Sequence, residues 1–220
     1  MSDDRGRYDE KLQRILKESS AIFADKSYHQ ASVRDISAAT GISLSGLYYY
    51  FRSKEELLFL IQSHCFETIL ERIRHDLVEV RDPEERLRTL IRNHLTFFAD
   101  NMAEMKVLSH EGHTLTGEYG QRILEQKREY SEVVQSILTS LAPEGTSVDP
   151  RVATYSLFGM MNWIYTWYRP DGDVGVEQLV HDMSHLFLRG YRSVPPDTDV
   201  ARRAVGGRTE KKSIWRGPAT

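Results

Sequence analysis

Between Ser32 and Leu57 the chain reads SVRDISAATGISLSGLYYYFRSKEEL, two short amphipathic segments hinged on a single glycine. Ser32 followed by Asp35 has the form of a helix N-cap with an acidic partner at the third position, and Val33, Ile36 and Ala39 point inward from that start. Gly41 falls where the first segment must stop and the backbone turn through positive φ, which glycine adopts without a Cβ penalty. Ser43 is the next N-cap, and Leu44, Leu47, Tyr48 and Phe51 supply a brief apolar face. Ahead of both, Leu12, Ile15, Leu16, Ser19, Ile22 and Phe23 repeat at three and four residues, which predicts a helix from about Tyr8 to Ala24. Three helices in this order form a helix-turn-helix pattern.

The remaining periodicity is helical as well. Ser53 with Glu56 reads as a capping box opening a long helix through Leu57, Ile61, Cys65, Ile69, Ile73 and Leu77. Asp82-Pro83-x-Glu85 marks another start, with a capping side chain, proline at the first position and acid in the first turn. That helix runs to about Asp100, and shorter stretches follow near Met102–His110 and Tyr119–Leu141. After the loop Ala142 to Pro150, a helix is expected from Asp149-Pro150 through Tyr168. Val176, Leu179, Val180, Met183, Leu186, Phe187 and Gly190 then form a stripe. No strand alternation of any length occurs, so the expected class is all-α. The expected domains are 1–53, the helix-turn-helix unit, and 54–192, a larger helical body. The segment 193–220, with Pro-Pro, Gly-Gly and scattered charges, reads as a disordered basic tail.

Charge is distributed unevenly along the 220 residues. The first 54 carry net +2, residues 55–191 net −9, and the remainder net +4, within an overall −3. A mildly basic front on an acidic body allows a nucleic-acid head without making the whole molecule a polycation. No run reaches the roughly eighteen apolar residues a membrane span needs, and the polar start is no secretory signal. One cysteine, Cys65, excludes an intramolecular disulfide and suits a reducing cytoplasm.

In a helix-turn-helix unit the second helix enters the major groove and its N-terminal residues meet base edges. Here that helix is expected over Ser43–Tyr50. Leu47 and Phe51, with part of the Tyr48 ring, face a core under Ile15, Phe23 and Ile36. Ser43, Leu44, Ser45, Tyr49 and Tyr50 are left outward. Large aromatics on so short an exposed helix suit groove contacts, because a ring packs on a thymine methyl or sugar while its hydroxyl reaches a phosphate.

The string VRDISAATGISLSGLYYYFRSKEELL resembles the DNA-binding signature of the TetR family of one-component transcriptional repressors. The likeness lies in Arg-x-Ile after the second-helix cap, the Gly-Ile-Ser turn, Gly-Leu-Tyr-x-Tyr-Phe and Ser-Lys-Glu-x-Leu, and it covers about Leu12 to Leu58. It implies a homodimer with two heads on a palindromic double-stranded operator, and a C-terminal helical domain that takes a small effector. By position, Ser32 and Arg34 match backbone or base contacts. Ser43, Leu44, Ser45 and Tyr49 match the base-facing surface, and Tyr48, Tyr50 and Lys54 match phosphate contacts.

The body is dense in aromatics. The bland reading of YSLFGMMNWIYTWYRPDGDVGVEQLVHDMSHLFLRG is a dimer interface, two helices per protomer building a four-helix bundle, with Val176, Leu179, Val180, Met183, Leu186 and Phe187 as its stripe. Tyr155, Phe158, Asn162, Trp163 and Trp167 exceed what one interface needs, so part of them is expected to line an effector cavity. With HEGHTLTGEYGQRI and KREY before it, this region is similar to the acyl-coenzyme A-responsive subset of the family. That resemblance implies an apolar tunnel for the acyl chain and basic groups, among them Arg122, Lys127, Arg128 and Arg169, for phosphate or adenine. Histidines invite a metal, but His110-Glu111-Gly112-His113 is one residue short of the zinc pattern. His181 and His185 lie at i, i+4 without an evident third ligand, so no metal is expected. No phosphate loop, nucleophile elbow or cofactor motif is present. An all-α enzyme for a hydrophobic or thioester substrate, and an architectural DNA binder without ligand, are the alternatives.

Overall fold

A computed structural model describes residues 2–142 and 148–192, with side chains from Tyr8 onward. Its described elements are α1 (Ser2–Lys26), α2 (Val33–Thr40), α3 (Leu44–Leu47), α4 (Lys54–Asp76), α5 (Pro83–Asp100), α6 (Met102–His110), α7 (Gly117–Leu141), α8 (Pro150–Asn162), a 3-10 turn (Trp163–Thr166) and α9 (Val176–Arg192). Among the described residues there is no strand, and no helix is long and apolar enough to cross a membrane. The tail 193–220 lies outside the described residues.

Capping chemistry explains the helix starts. The Ser32 hydroxyl accepts the Asp35 N–H at 3.2 Å while the Ser32 N–H donates to the Asp35 carboxylate at 2.8 Å, a complete capping box. Gly41 sits at φ 70° and its N–H closes on the Ser37 carbonyl, ending α2. Ser43 Oγ accepts the Gly46 N–H at 3.2 Å and Asp82 Oδ1 accepts the Glu85 N–H at 2.9 Å. Asp149 Oδ1 accepts the Arg151 N–H at 2.8 Å. The box at Ser53 is altered: Ser53 Oγ accepts from Glu56 N–H, but the Glu56 carboxylate reaches the Arg52 N–H rather than that of Ser53.

Compactness divides the chain into two units, the first made of the chain through Glu71 with Phe97–Arg128, the second of Arg72–Thr96 with the chain from Glu129 onward. Each of α4, α5 and α7 contributes residues to both. In the first unit Ile15, Phe23, Ile36, Leu47, Phe51, Leu57 and Ile61 share one core with Val107, Leu115 and Ile123. Thus α6 and the start of α7 complete the core that three short helices alone cannot close. Around it, the Glu111 carboxylate accepts the Tyr28 N–H at 3.2 Å and the Thr114 hydroxyl at 2.7 Å, and Gln62 donates to the Glu111 carbonyl at 3.1 Å.

In the second unit Leu90, Ile91 and Leu95 of α5, Val134, Ile137 and Leu138 of α7, Leu157 and Met161 of α8, and the inner face of α9 are buried. Two expectations change here. The helix from Pro150 ends at Asn162, not Tyr168. Ile164 and Tyr168 turn inward while Trp163 and Trp167 face out, the Thr166 hydroxyl donates to the Trp163 carbonyl at 2.7 Å, and Pro170 disfavours helix at Arg169.

The second correction concerns the α9 stripe. Leu179, Val180, Met183 and Phe187 are buried within the protomer's own core, and Val176 is partly covered. Of the stripe's large side chains, Leu186 is the exposed one, at 67%. The reason is geometric. The Tyr191 hydroxyl donates to the Leu138 carbonyl of α7 at 3.0 Å and Arg92 of α5 meets Glu177 at 3.3 Å, so the apolar stripe is the face that closes the unit.

Candidate functional site

The stretch expected to read DNA is shorter as a helix than its sequence suggests. Tyr49 and Tyr50 N–H groups bond the carbonyls three residues back, Gly46 at 3.3 Å and Leu47 at 2.9 Å, so α3 tightens after Leu47 instead of running to Tyr50. That tightening carries Phe51 into the core, where it is 1% exposed. Gly46 is required here, because a Cβ would lie 2.8 Å from the Ile42 methyl.

Ser32, Arg34, Ser43, Leu44, Ser45, Tyr48 and Tyr49 are all exposed. Their polar atoms are not equally available, however. The Ser32 hydroxyl donates to Asp35 at 2.6 Å, and Ser43 Oγ is occupied by the Gly46 N–H and lies 3.2 Å from Ser45 Oγ. Lys26 bonds Asp35 at 2.8 Å, and that contact with the Ser32 bonds holds the Asp35 carboxyl well below the usual carboxylate range.

Among the tyrosines the assignment shifts. Tyr48, whose ring was expected partly in the core, is 52% exposed, and Tyr49 stands 75% exposed. Tyr50 is the partly buried one, stacked on Tyr8 of α1 with ring centroids 4.9 Å apart. Burial pushes its phenol pKa up, with Tyr8 and Tyr49 adding to the effect. In the sequence Tyr8 marks only the expected start of the first helix. Because α1 begins at Ser2, its ring lies a full turn inside the helix and reaches the tyrosine run.

Lys54 differs more. Its ammonium donates to the carbonyls of Tyr28 and Ala31, each at 2.9 Å, and lies 4.5 Å from the Tyr28 ring centroid. It therefore closes the α1–α2 turn, where Ser27 holds φ 68°, a left-handed conformation costing roughly 1 kcal/mol. Lys54→Ala is expected to lower unfolding stability by about 1–3 kcal/mol, since it removes charge-assisted hydrogen bonds. Denaturant unfolding checks this. Unchanged stability with a DNA salt slope reduced by about one unit would make Lys54 a phosphate ligand instead.

In the second unit, the polar centre is a pair not singled out from the sequence. His94 Nδ1 and the Tyr130 hydroxyl lie 2.9 Å apart, both residues buried, with Phe158 rings at 6.5 Å from His94 and 5.5 Å from Tyr130. Burial holds the His94 imidazole far below the usual histidine range, at about 3, and a hydrogen bond from the ring to the Asn162 side chain pulls the other way. Burial also pushes the Tyr130 phenol up. The signal was present, since His94 continues the stripe Leu87, Leu90, Ile91 of α5.

Of the residues expected to meet an effector, Phe158 and Asn162 thus adjoin this pair, whereas Trp163 and Trp167 are 60% and 54% exposed on the outer surface. Arg169 is exposed beside Asp171 at 3.8 Å. Arg122 belongs to the first unit, its guanidinium 4.6 Å over the Phe59 ring, which stacks on Tyr119. One turn further along α7, Lys127 is partly buried and donates to the Gly112 carbonyl at 3.0 Å, and burial lowers its pKa. His181 and His185 lie on the exposed side of α9, rings 6.0 Å apart.

Residues 15–61 match the model for bacterial regulatory proteins of the tetR family, and residues 80–191 match a tetracyclin repressor-like C-terminal domain. The fatty acid metabolism regulator protein of Bacillus subtilis is 25% identical over 187 residues, covering 83% of this chain and 96% of that protein. The transcriptional repressor KstR2 of Mycobacterium tuberculosis is 23% identical over 192 residues, covering 84% and 94%. The crystal structure of AibR in complex with isovaleryl coenzyme A and operator DNA superposes with a TM-score of 0.71 at 30% identity, over 80% of this chain and 97% of that one. The chain belongs to the tetR family of bacterial regulatory proteins and is a transcriptional regulator, not an enzyme.

Proposed function

We propose that the protein is a cytoplasmic, ligand-responsive repressor that holds a palindromic operator as a homodimer and is released by an acyl-coenzyme A thioester. The functional division follows the motif, 1–53 for DNA and 54–192 for effector and dimer. What carries the DNA half is the outward set Ser43, Leu44, Ser45, Tyr48 and Tyr49 on a tightly capped turn, with Arg34 exposed at the start of α2. Rings, hydroxyls and one guanidinium can read methyls and phosphates while a buried Leu47 and Phe51 fix their frame.

The effector half rests on the interior of the second unit. Phe158, Tyr155 and the His94–Tyr130 pair give an aromatic interior with a polar centre, suited to an apolar chain ending in a carbonyl. A regulator of fatty acid metabolism among the relatives, and a neighbour crystallised with isovaleryl coenzyme A and operator DNA, support the same class. The dimer surface moves outward to Leu186, Trp163, Trp167 and Val152, large apolar side chains that a second copy would cover.

Calorimetry on the DNA-free chain tests the effector. Acyl-coenzyme A thioesters of graded length are expected to bind at least about tenfold more tightly than free coenzyme A or the matching acids. Equal affinity for acid and thioester would remove coenzyme A from the assignment.

A further inference from the structure

Tyr8 of α1, Tyr49 and Tyr50 form a closed set of three rings. Tyr8 stacks on Tyr50 at 4.9 Å with planes 23° apart, and meets Tyr49 edge-on at 5.9 Å and 78°. Tyr49 and Tyr50 are edge-on to each other at 5.3 Å and 86°. Both geometries are the favoured ones for aromatic pairs. Tyr50 is held from below by the head's core and from the side by Tyr8. Tyr49 is 75% exposed yet perpendicular to two rings at once, so an outward side chain has its direction set by its neighbours.

We propose that Tyr8 is a positioning residue for DNA recognition, buttressing Tyr50 and thereby fixing the ring of Tyr49 in the orientation that meets the operator. This rests on the reading that Tyr49 contacts DNA. A free surface tyrosine samples several rotamers and loses that freedom when a groove immobilises it. A ring already ordered by two others loses less on binding, so the complex is tighter without any added contact. The hydroxyl of Tyr8 plays no part in this; its ring does.

The probe is a duplex recovered by in vitro selection with the unaltered full-length chain, measured beside a random duplex of equal length. Tyr8→Ala is expected to raise Kd for the selected duplex about three- to tenfold while leaving random-duplex affinity and the salt slope unchanged. Tyr8→Phe is expected to bind like the unaltered chain, because the stack needs only the ring. Tyr8→Ala combined with Tyr49→Ala is expected to bind no worse than Tyr49→Ala alone, a non-additive cycle. Additive losses, or a reduced salt slope, would make Tyr8 a DNA ligand in its own right and overturn the positioning role. Weakening by Tyr8→Phe equal to that by Tyr8→Ala would do the same. If Tyr49→Ala weakens binding and Tyr8→Ala does not, the buttress is wrong while the contact stands. If Tyr49→Ala has no effect, the underlying contact reading fails. Thermal unfolding of each variant, expected within a degree or two of the parent, separates a loss of fold from these outcomes.

Discussion

Met183→Glu is expected to unfold the C-terminal body, whereas Leu186→Glu leaves it folded and yields monomers. The two residues are three apart on one helix, but Met183 is 7% exposed inside the protomer and Leu186 is 67% exposed outside it. A carboxylate at Met183 would be desolvated among Leu179, Val180 and Phe187. An uncompensated buried charge costs about 3–5 kcal/mol, and the lost apolar burial adds about 2 more. That sum rivals the whole stability of an ordinary domain. At Leu186 a charge remains in water in the free protomer, so stability should stay within about 0.5 kcal/mol. Sedimentation and denaturant unfolding together decide the matter. Folded monomers from both variants would return the interface to the buried stripe.

The second large effect is acid sensitivity through His94. Its folded pKa, about 3, lies below the ordinary histidine value. A group depressed in this way contributes stability that is fully present above its unfolded pKa, near 6.5, and is lost as pH falls toward 3. Between pH 7 and pH 4.5 the expected loss is about 2–3 kcal/mol. His64, lowered by burial, acts in the same direction, and Glu104, raised by burial, acts in the opposite one. Comparison with His94→Phe cancels both, since they are common to the two proteins. The unaltered chain should therefore lose about 2–3 kcal/mol relative to His94→Phe between pH 7 and pH 4.5. Parallel curves would mean that His94 is not held neutral by its burial.

How much of this could be read from residues alone differs between the two halves. In the head, each decisive signal was local. Ser32 with Asp35, Gly41, and Ser43 act on backbone groups a few positions away, and the structure uses each in that role. The end of α3 was not legible, because whether the chain continues in α or tightens depends on where Phe51 must go. The same holds for α8, where Ile164 and Tyr168 are inward under either continuation and Trp163 with Trp167 gave no warning of the break. The stripe of α9 showed that one face is buried, yet periodicity does not say whether the covering surface belongs to the same chain or to another. His94 was passed over for a related reason: a histidine within an apolar stripe has its partner, Tyr130, far along the sequence on α7.

In the proposed function one molecule binds DNA through the tyrosine-bearing turn and releases it when a thioester binds. Because α4 carries residues of both compact units, a ligand that favours one arrangement of the body has a covalent route to the head. Two half-sites in successive major grooves lie about 34–36 Å apart, so little change in spacing is tolerated. Coupling of roughly 1–3 kcal/mol suffices for a 5–150-fold change in affinity. The direct measurement is fluorescence anisotropy of the selected duplex bound to the full chain, titrated with acyl-coenzyme A thioesters, the free acids and free coenzyme A. The expected result is release by a thioester alone, at a constant two protomers per duplex before release. Undiminished operator affinity at saturating thioester, with release by an unrelated small molecule, would contradict it.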